Sequence, residues 1–285
     1  MPELPEVETV RRGLNQVTPH LEITGGDVLL HRTIAYPFSV EEFVVALKGQ
    51  AIATWYRQGK YLLAELYPLP HSPTPPLPSY LGVHLRMTGQ LLWLHPDEPV
   101  HKHTRVRLFF GDHELRFVDQ RTFGQMWWVP PGIAPETIIT GLQKLAADPF
   151  SPEFTTEYLA QKLYNRRRPI KTALLDQSVV AGVGNIYADE ALFASGIQPE
   201  TLCINLKTEQ IQRLLEAIIQ VLQASIEAGG TTFSNFLNVE GVNGKYGGIA
   251  LVYNRTGEPC RVCGTAIGRI RLGGRSSHFC PQCQL

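Results

Sequence analysis

The sequence lacks a long apolar run, an excess of charge of either sign, and cysteine over most of its length. No run reaches the ~18 apolar residues that a membrane-spanning helix requires, so we expect no such helix. The N-terminal stretch carries acidic and basic side chains instead of an apolar core, so we expect no signal peptide. These absences predict a soluble cytoplasmic protein without a membrane partner.

Charge is balanced overall but unevenly distributed. The 26 lysine and arginine residues match the 26 aspartate and glutamate residues, so the chain has no overall attraction to nucleic acid. From residue 255 onward, however, the charged residues are five arginines and one glutamate: Arg255, Arg261, Arg269, Arg271, Arg275 and Glu258. Local patches of this kind would have to supply any contact with a polyanion.

Four of the five cysteines lie in the last 26 residues, as Cys260-x2-Cys263 and Cys280-x2-Cys283 with 16 residues between the pairs. Each pair can place two thiolates on one metal ion, and two pairs complete a tetrahedral Zn²⁺ site. An iron–sulfur cluster is the alternative. Four cysteine ligands leave no open position, so the metal would be structural. It would fold a β-hairpin that carries arginines at its tip.

The chain begins with Met1-Pro2-Glu3-Leu4-Pro5-Glu6, which places two carboxylates within one helical turn of a proline. If Met1 is removed, the Pro2 nitrogen becomes a terminal secondary amine. Such an amine titrates near pH ~8, so roughly a tenth is nucleophilic at neutral pH. Its attack on a sugar carbon gives a charged iminium, and a neighbouring carboxylic acid can protonate a leaving group. The simpler interpretation is a rigid, capped helix entry.

Sequence patterns divide the chain near Ala146–Pro149. Before this point we expect strands over residues 51–56, 61–66, 81–94, 105–110, 114–118 and 124–129, with hairpin turns at Gln58-Gly59 and Gly111-Asp112. Antiparallel strands with few helices between them predict a β-sandwich or barrel. After this point helical periodicity dominates, including a helix over about 209–228. The prediction is an α+β protein of more than one domain.

Several motifs, in order along the whole chain, resemble the formamidopyrimidine-DNA glycosylase family. They are Pro2–Val10, Val183–Glu190, Gly229–Thr232 and the four-cysteine finger with Gly274-Arg275. The resemblance implies an N-terminal catalytic β-sandwich domain with an N-terminal helix over residues 1–147. It also implies a helix–two-turn–helix DNA-binding domain over 148–250 and a β-hairpin zinc finger over 251–285.

The resemblance implies a bifunctional DNA glycosylase and abasic-site lyase of base excision repair. Its partner would be double-stranded DNA that contains oxidised purines such as 8-oxoguanine, and the protein would act as a monomer with one structural Zn²⁺. Pro2 would attack C1′ of the damaged nucleotide, and Glu3 would be the general acid. Lys60, which the sequence alone places at a hairpin tip exposed to solvent, would transfer protons and bind phosphate. Arg275 would assist the second of two eliminations.

The resemblance also implies the residues that contact DNA. Met87, Arg121 and Phe123 would fill the space left by an extruded nucleotide, and Arg121 would pair with the orphaned cytosine. From alternation alone, Met87 is instead a core-facing strand residue.

The DNA backbone would be contacted by His103, Arg167 and Asn185. Within the run Arg166–Arg168 the alignment can slip by one residue, which affects the assignment of Arg167.

Two alternatives remain open. An endonuclease VIII-type glycosylase would act on oxidised pyrimidines, but such enzymes begin Pro-Glu-Gly-Pro-Glu, and residue 4 here is leucine. A non-catalytic lesion-binding protein would not need Pro2, Glu3 and Lys60. The proline-rich segment 68–78 has no derived role, and residues 233–248 depart from the family pattern, so the resemblance does not set the preference among lesions.

Overall fold

The computed structural model describes residues 1–69, 77–231 and 237–285, which form two compact units. The first unit is Met1–Gln143 with Gly229–Lys245, and the second is Lys144–Ala228 with Tyr246–Leu285. The division into three domains at residues 147 and 250 stays a prediction, and the packing groups Gly229–Lys245 with the β-rich unit. Most of the proline-rich segment 68–78, and Thr232 of the glycine-rich motif, lie outside the described residues.

The first unit is built mainly of strands. Its elements are α1 (Leu4–Val17), β1 (Gly25–Val28), β2 (Ile34–Tyr36), α2 (Val40–Leu47), β3 (Gln50–Gln58), β4 (Tyr61–Pro68), β5 (Ser79–His84), β6 (Gly89–Leu94), β7 (Thr104–Phe110), β8 (His113–Asp119), β9 (Gln125–Val129) and α3 (Pro135–Ile138). Among the described residues these strands form a four-stranded sheet, β1-β7-β8-β6, and a five-stranded sheet, β2-β9-β5-β4-β3. The β2–β9 pair is parallel, and the other pairs are antiparallel.

The two sheets share one hydrophobic core. Leu62 and Val83 from the five-stranded sheet are buried in the same cluster as Leu108 and Phe117 from the four-stranded sheet, and Leu14 of α1 joins them. Alternate residues of a strand point to opposite faces, so each sheet turns one apolar face inward. This arrangement confirms the predicted β-sandwich with an N-terminal helix.

The chain changes sheets between β5 and β6. Alternation predicts one continuous strand over residues 81–94, but β5 ends at His84, and Arg86 has φ +55°. That value lies in the left-handed region, so the extended strand cannot continue. Met87 therefore lies on a turn and is only partly buried, and its interpretation as a core-facing strand residue is wrong.

A buried carboxylate ties α1 to the β3–β4 hairpin. Glu8 accepts hydrogen bonds from Arg11 (Nη2, 2.7 Å), Arg12 (Nε, 2.9 Å) and Arg57 (Nε, 3.2 Å). Arg57 also donates to the carbonyl of Gly59 at 3.3 Å, in the turn of the hairpin. Burial alone would raise the pKa of Glu8, but the hydrogen bonds and charges of the arginines lower it from 4.5 to about 2.

The second unit contains helices followed by a hairpin. Its elements are α4 (Thr156–Leu163), α5 (Ile170–Leu174), α6 (Asn185–Ala194), α7 (Thr208–Glu227), β10 (Gly268–Leu272) and β11 (Arg275–Phe279). Helix α6 is buried almost throughout, whereas α7 buries one stripe that includes Leu214, Ile218 and Leu222. Glu190 on α6 accepts backbone hydrogen bonds from residues 251–253, which lead into the hairpin. Within the described residues, no helix combines the length and apolar character needed to cross a membrane.

We expect the Glu8→Gln variant to be less stable than the wild type at neutral pH and less sensitive to acid. The folded-state pKa of Glu8 lies below its ordinary value, so its stabilisation is present above about pH 4.5 and is lost as the pH falls toward about 2. Denaturant unfolding followed by circular dichroism across this range measures the effect. Glu42→Gln, which changes an exposed glutamate, is the control. An unchanged acid dependence in Glu8→Gln would contradict the assignment.

Candidate active site and metal centre

The residues around the chain start are buried in the first unit. Glu3 precedes α1 in an extended conformation, and its backbone N–H donates to Glu6 Oε2 at 2.8 Å. Pro2 is buried as well, Glu3 is 2% exposed, and Lys60 in the β3–β4 turn is 7% exposed. Burial of an ammonium group is costly unless other groups compensate its charge. The interpretation of Lys60 as a solvated turn residue is therefore wrong.

Four charged side chains act on the N-terminal amine. This amine is that of Met1, one residue before Pro2. Burial lowers its pKa from 8.0, and the carboxylates of Glu3 and Glu6 oppose that shift, whereas Lys60 and Arg121 add to it. These interactions require that all four side chains lie near the chain start. A lowered pKa increases the unprotonated fraction, which is the nucleophilic form.

Glu6 fixes two parts of the backbone near this amine. While its Oε2 accepts from Glu3, its Oε1 accepts the N–H of Thr231 at 2.9 Å. Glu6 is only 2% exposed, and charge-assisted hydrogen bonds to both oxygens compensate its burial. The carboxylate therefore holds the segment beginning at Gly229 against the start of α1.

His84 is a site residue that the sequence patterns did not identify. Its Nδ1 accepts the backbone N–H of Arg86 at 3.0 Å, and its ring packs edge-on against Tyr61 at 4.4 Å. Burial, followed by the charges of Arg86 and Lys60, lowers the pKa of His84 to about 3. The neutral ring therefore carries its proton on Nε2 and can donate a hydrogen bond near Lys60. The sequence feature that could have identified His84 is its position at the end of β5, just before the turn with Met87.

Asp119 holds the loop that carries Arg121 and Phe123. Its buried carboxylate accepts from the hydroxyl of Thr88, from Arg121 N at 3.2 Å and from Gly124 N at 2.7 Å. The guanidinium carbon of Arg121 lies 5.0 Å from the centre of the Phe123 ring. The loop is thus fixed at its base, and it presents a ring that is 52% exposed.

The turn with Met87 and the loop with Phe123 border the same hollow. Its volume is about 520 Å³, and Met1, Arg32 and Arg86 also line it. The structure therefore brings Met87 and Phe123 together beside the chain start, as expected if both contact the same partner.

His103 lines a second cavity, of about 490 Å³, in the first unit. Its Nδ1 lies 3.0 Å from Arg105 Nη2, and its carbonyl accepts from Asp119 N at 2.9 Å. The described lining contains imidazole, amide and ammonium groups without a carboxylate: Thr88, Gln90, His101, Lys102, His103, Val118, Gln120, Leu237 and Asn243. Such a lining suits an anionic or acceptor-rich partner.

In the second unit, the arginine run separates into structural and exposed members. Arg166 and Arg168 approach the carboxylate of Asp176 at 3.7 and 2.8 Å, whereas Arg167 is exposed and pairs with no carboxylate in the described residues. Arg167 is therefore the member of the run that is available to an external phosphate. Asn185 begins α6, where backbone N–H groups and the helix dipole favour anions.

The second unit also carries Arg275 on the β10–β11 hairpin. The turn is formed by Gly273 and Gly274, both with positive φ (53° and 79°), and Arg275 follows as the first residue of β11. A side chain at either glycine would be strained in this conformation. Arg275 is exposed at the hairpin tip, as the sequence predicts.

The four cysteines near the hairpin form one metal-binding cluster. Their sulfur atoms all lie within 4.8 Å of one another, with Cys260–Cys283 at 3.9 Å and Cys263–Cys280 at 3.5 Å. A tetrahedron with Zn–S bonds of about 2.3 Å has sulfur–sulfur edges of about 3.8 Å, so the arrangement fits Zn²⁺. Because all four ligands come from the protein, the zinc is structural.

Comparisons with known proteins agree along the whole chain. Family models match for the formamidopyrimidine-DNA glycosylase N-terminal domain (residues 1–126), its H2TH domain (145–236) and the zinc finger found in FPG and IleRS (257–285). The formamidopyrimidine-DNA glycosylase of Nostoc punctiforme is 77% identical over 285 residues, which is 100% of this chain and 96% of that protein.

Solved structures give the same result. The complex between Lactococcus lactis Fpg and DNA with an abasic site has a TM-score of 0.88 and 34% identity, over 99% of each chain. The structure of MutM with DNA that contains carbocyclic 8-oxo-G has a TM-score of 0.87 and 34% identity, again over 99% of each chain. With the domain matches in order and a full-length relative at 77% identity, this chain belongs to the formamidopyrimidine-DNA glycosylase family.

Proposed function

We propose that this protein is a DNA glycosylase and abasic-site lyase that removes oxidised purines from double-stranded DNA. The observation that carries the proposal is the buried chain start, where Glu3, Glu6, Lys60 and Arg121 all act on the Met1 amine and therefore lie close to the Pro2 nitrogen next to it. A nucleophilic amine, a carboxyl group and a second cation are the groups that imine chemistry on a sugar requires. The proposal needs Met1 to be removed so that the Pro2 nitrogen is free.

The damaged nucleotide must leave the duplex before the amine can reach C1′. Met87, Arg121 and Phe123 would enter the space it leaves, and the exposed Phe123 ring and its stacked guanidinium suit insertion between bases. The guanidinium of Arg121 offers donors to the acceptors of an unpaired cytosine. Asp119 restrains the loop in advance, so less conformational entropy is lost on binding.

Base excision begins when the Pro2 nitrogen bonds to C1′ and the bond from C1′ to the base breaks. The base leaves with the electron pair and takes a proton, for which the ammonium of Lys60 is the donor. The amine proton passes to water, and the nitrogen lone pair forms the C=N bond of the iminium as the C1′–O4′ bond opens and Glu3 protonates the ring oxygen. The neutral His84 beside Lys60 can bind a phosphate oxygen without adding charge.

The iminium then makes strand cleavage possible because it acidifies the C2′ proton. This proton passes to water, the C3′–O bond breaks, and the 3′ phosphate leaves with the bonding electrons. In the second elimination the C4′ proton passes to water, the C5′–O bond breaks and the 5′ phosphate leaves. Arg275 would stabilise the departing phosphate by charge-assisted hydrogen bonds. Hydrolysis of the iminium returns the amine.

Binding to the duplex would rest on cations and on backbone N–H groups. His103, Arg167 and Asn185 would contact phosphates, which position the duplex without reading its sequence. Bound zinc supplies the folding free energy of the finger, and the four cysteines therefore hold the Arg275 hairpin in shape. We propose a monomer that acts in the cytoplasm on nucleoid DNA.

The alternative of an endonuclease VIII-type enzyme concerns the substrate rather than the chemistry. Both enzymes would form a covalent imine with DNA, but they would prefer different damaged bases. A non-catalytic lesion-binding protein would form no such bond, and the buried Glu3 and Lys60 argue against it.

Borohydride trapping tests the proposed function. We expect reduction to link the wild type covalently to an 8-oxoguanine·cytosine duplex, with much less product from a thymine glycol duplex. The Pro2→Gly variant should excise 8-oxoguanine more than about 100-fold more slowly, because it replaces the rigid secondary ring amine, which forms a permanently charged iminium, with a flexible primary amine. Pro5→Ala removes a neighbouring proline but keeps the Pro2 nitrogen, and it serves as the control.

The outcomes separate the candidates. If no covalent complex is trapped, the lyase activity is rejected. Stronger trapping with thymine glycol would favour the enzyme for oxidised pyrimidines. Normal turnover of Pro2→Gly would reject Pro2 as the nucleophile. A protein that retains Met1 should still bind DNA, but borohydride should trap no covalent complex with it.

Single substitutions in the run Arg166–Arg168 test its contact with DNA. Arg167→Ala should weaken DNA binding and reduce the slope of log affinity against log salt concentration by about 0.9, as expected for one lost phosphate contact. Arg168→Ala should instead lower stability, because it leaves Asp176 with only the longer 3.7 Å pair to Arg166. Fluorescence anisotropy across a salt series measures the slopes. A reduced slope in Arg166→Ala, with none in Arg167→Ala, would move the contact by one residue.

Substitution of a cysteine ligand tests the role of the metal centre. Cys260→Ser should lose the bound zinc and unfold the finger, so affinity for DNA at physiological salt should fall. Elemental analysis and anisotropy measure the two effects. Cys203→Ser is the matched control, because Cys203 is buried away from the four-cysteine cluster. Unchanged DNA affinity in a zinc-free Cys260→Ser protein would contradict a binding role for the finger.

A further inference from the structure

We propose that Lys171 and Asp189 are positioning residues for Arg275 in the second elimination step. This inference rests on the proposed lyase function. It assigns a role to a buried ion pair that lies outside the residues identified from the sequence.

The ion pair contacts the strand that begins with Arg275. Lys171 on α5 and Asp189 on α6 are both 0% exposed, and their charged groups are in direct contact. The ammonium of Lys171 also donates to the carbonyl oxygen of Ser276 at 3.0 Å. This hydrogen bond fixes the peptide unit between Ser276 and Ser277, one residue beyond Arg275.

Asp189 holds the same strand two residues further along. Its Oδ2 accepts the backbone N–H of His278 at 2.9 Å and lies 3.0 Å from Nδ1 of the same residue. The opposite edge of β11 is occupied by β10, where Leu272 pairs with Arg275. The ion pair therefore forms hydrogen bonds with the Ser276 carbonyl and the His278 N–H, which lie on the edge of β11 opposite β10.

The turn of the hairpin also approaches α5. A Cβ atom at Gly273 would lie 3.4 Å from the methyl carbon of Thr172, the residue after Lys171. Helix α5 thus contacts the hairpin on both sides of Arg275, through the turn before it and through Ser276 after it.

The chemistry of the pair supports a role in positioning. Two apolar side chains could fill the same volume without the cost of burying charges, and such replacements often do not reduce stability. They could not bind the carbonyl of Ser276 or the N–H of His278, which would then remain buried without partners. What the charged pair provides is a defined location for the backbone of β11.

The second elimination is the step that depends on this location. The C4′ proton passes to water, the C5′–O bond breaks, and the phosphate that leaves with the electron pair is the group that Arg275 must meet. A displacement of about 1 Å can slow a positioned reaction by up to about 100-fold. The first elimination expels the other phosphate and does not require Arg275 in this role.

The test uses the Lys171→Met/Asp189→Asn double variant of the full-length, zinc-loaded protein. Methionine removes the buried charge, and asparagine keeps an acceptor for His278, so no unpaired charge remains. Single-turnover reactions on a duplex with a preformed abasic site, resolved on a denaturing gel, give the ratio of second- to first-elimination products. We expect this ratio to fall about tenfold, with the first elimination changed less than about twofold.

Controls separate positioning from general destabilisation. Leu214→Ala creates a cavity in buried α7 of the same unit and should leave the product ratio unchanged. In an Arg275→Ala background the double variant should cause no further loss, because both changes act through the same guanidinium. Lys171→Met alone, which leaves Asp189 bound to the backbone N–H and Nδ1 of His278, should shift the ratio in the same direction, and it serves if the double variant loses zinc.

The outcomes distinguish the two proposals. A wild type without lyase products would overturn the proposed function itself. A wild type that completes both eliminations, together with variants whose product ratio is unchanged, would overturn the positioning role alone. An equal loss in Leu214→Ala, or an additional loss in the Arg275→Ala background, would also overturn it.

Discussion

Buried carboxylates that accept backbone N–H groups hold the functional segments of this protein in place. Glu6 binds Glu3 and Thr231, and Asp119 binds the loop around Arg121. In the second unit, Asp189 holds β11 and Glu190 holds residues 251–253. A buried carboxylate is tolerated only when several donors replace its water, so each of these groups requires a particular arrangement of the backbone around it. These hydrogen bonds hold the loops beside the residues that we propose to act.

The same constraint shapes the chemistry at the chain start. An amine nucleophile must lose its proton, which burial promotes, yet it must remain close to acids that protonate leaving groups. At the Met1 amine, next to the proposed Pro2 nucleophile, burial and Lys60 lower the pKa, whereas the neighbouring carboxylates raise it. Glu8 and Arg57 extend this arrangement by tying α1 to the turn that precedes Lys60. The helix start therefore has a structural role as well as a proposed catalytic one.

The two corrected residues show where pattern reasoning reaches its limit. Lys60 follows a hairpin glycine, and lysines at turns are usually exposed, but this turn packs into the unit and buries the ammonium. Met87 continues an apolar alternation, but the positive φ of Arg86 ends the strand and lets the chain cross to the other sheet. The local alternation of apolar and polar residues predicts neither a long-range packing contact nor a change in backbone direction. His84 was missed for the same reason, since its lowered pKa arises from side chains that the fold brings to it.

Local spacing by itself determined the four-cysteine metal centre, the hairpin at Gly273-Gly274, most strands of the β-rich half and the helices after residue 155. These features depend on residues that are near in sequence, where thiolate spacing, turn chemistry and side-chain period act directly. Only the tertiary structure decided that Glu6 reaches Thr231 and that Arg166 and Arg168, but not Arg167, approach Asp176. It also decided that Lys171 and Asp189 hold the strand of Arg275. Each of these depends on the pairing of charged or polar groups that lie apart in the sequence, which is set by how the elements pack.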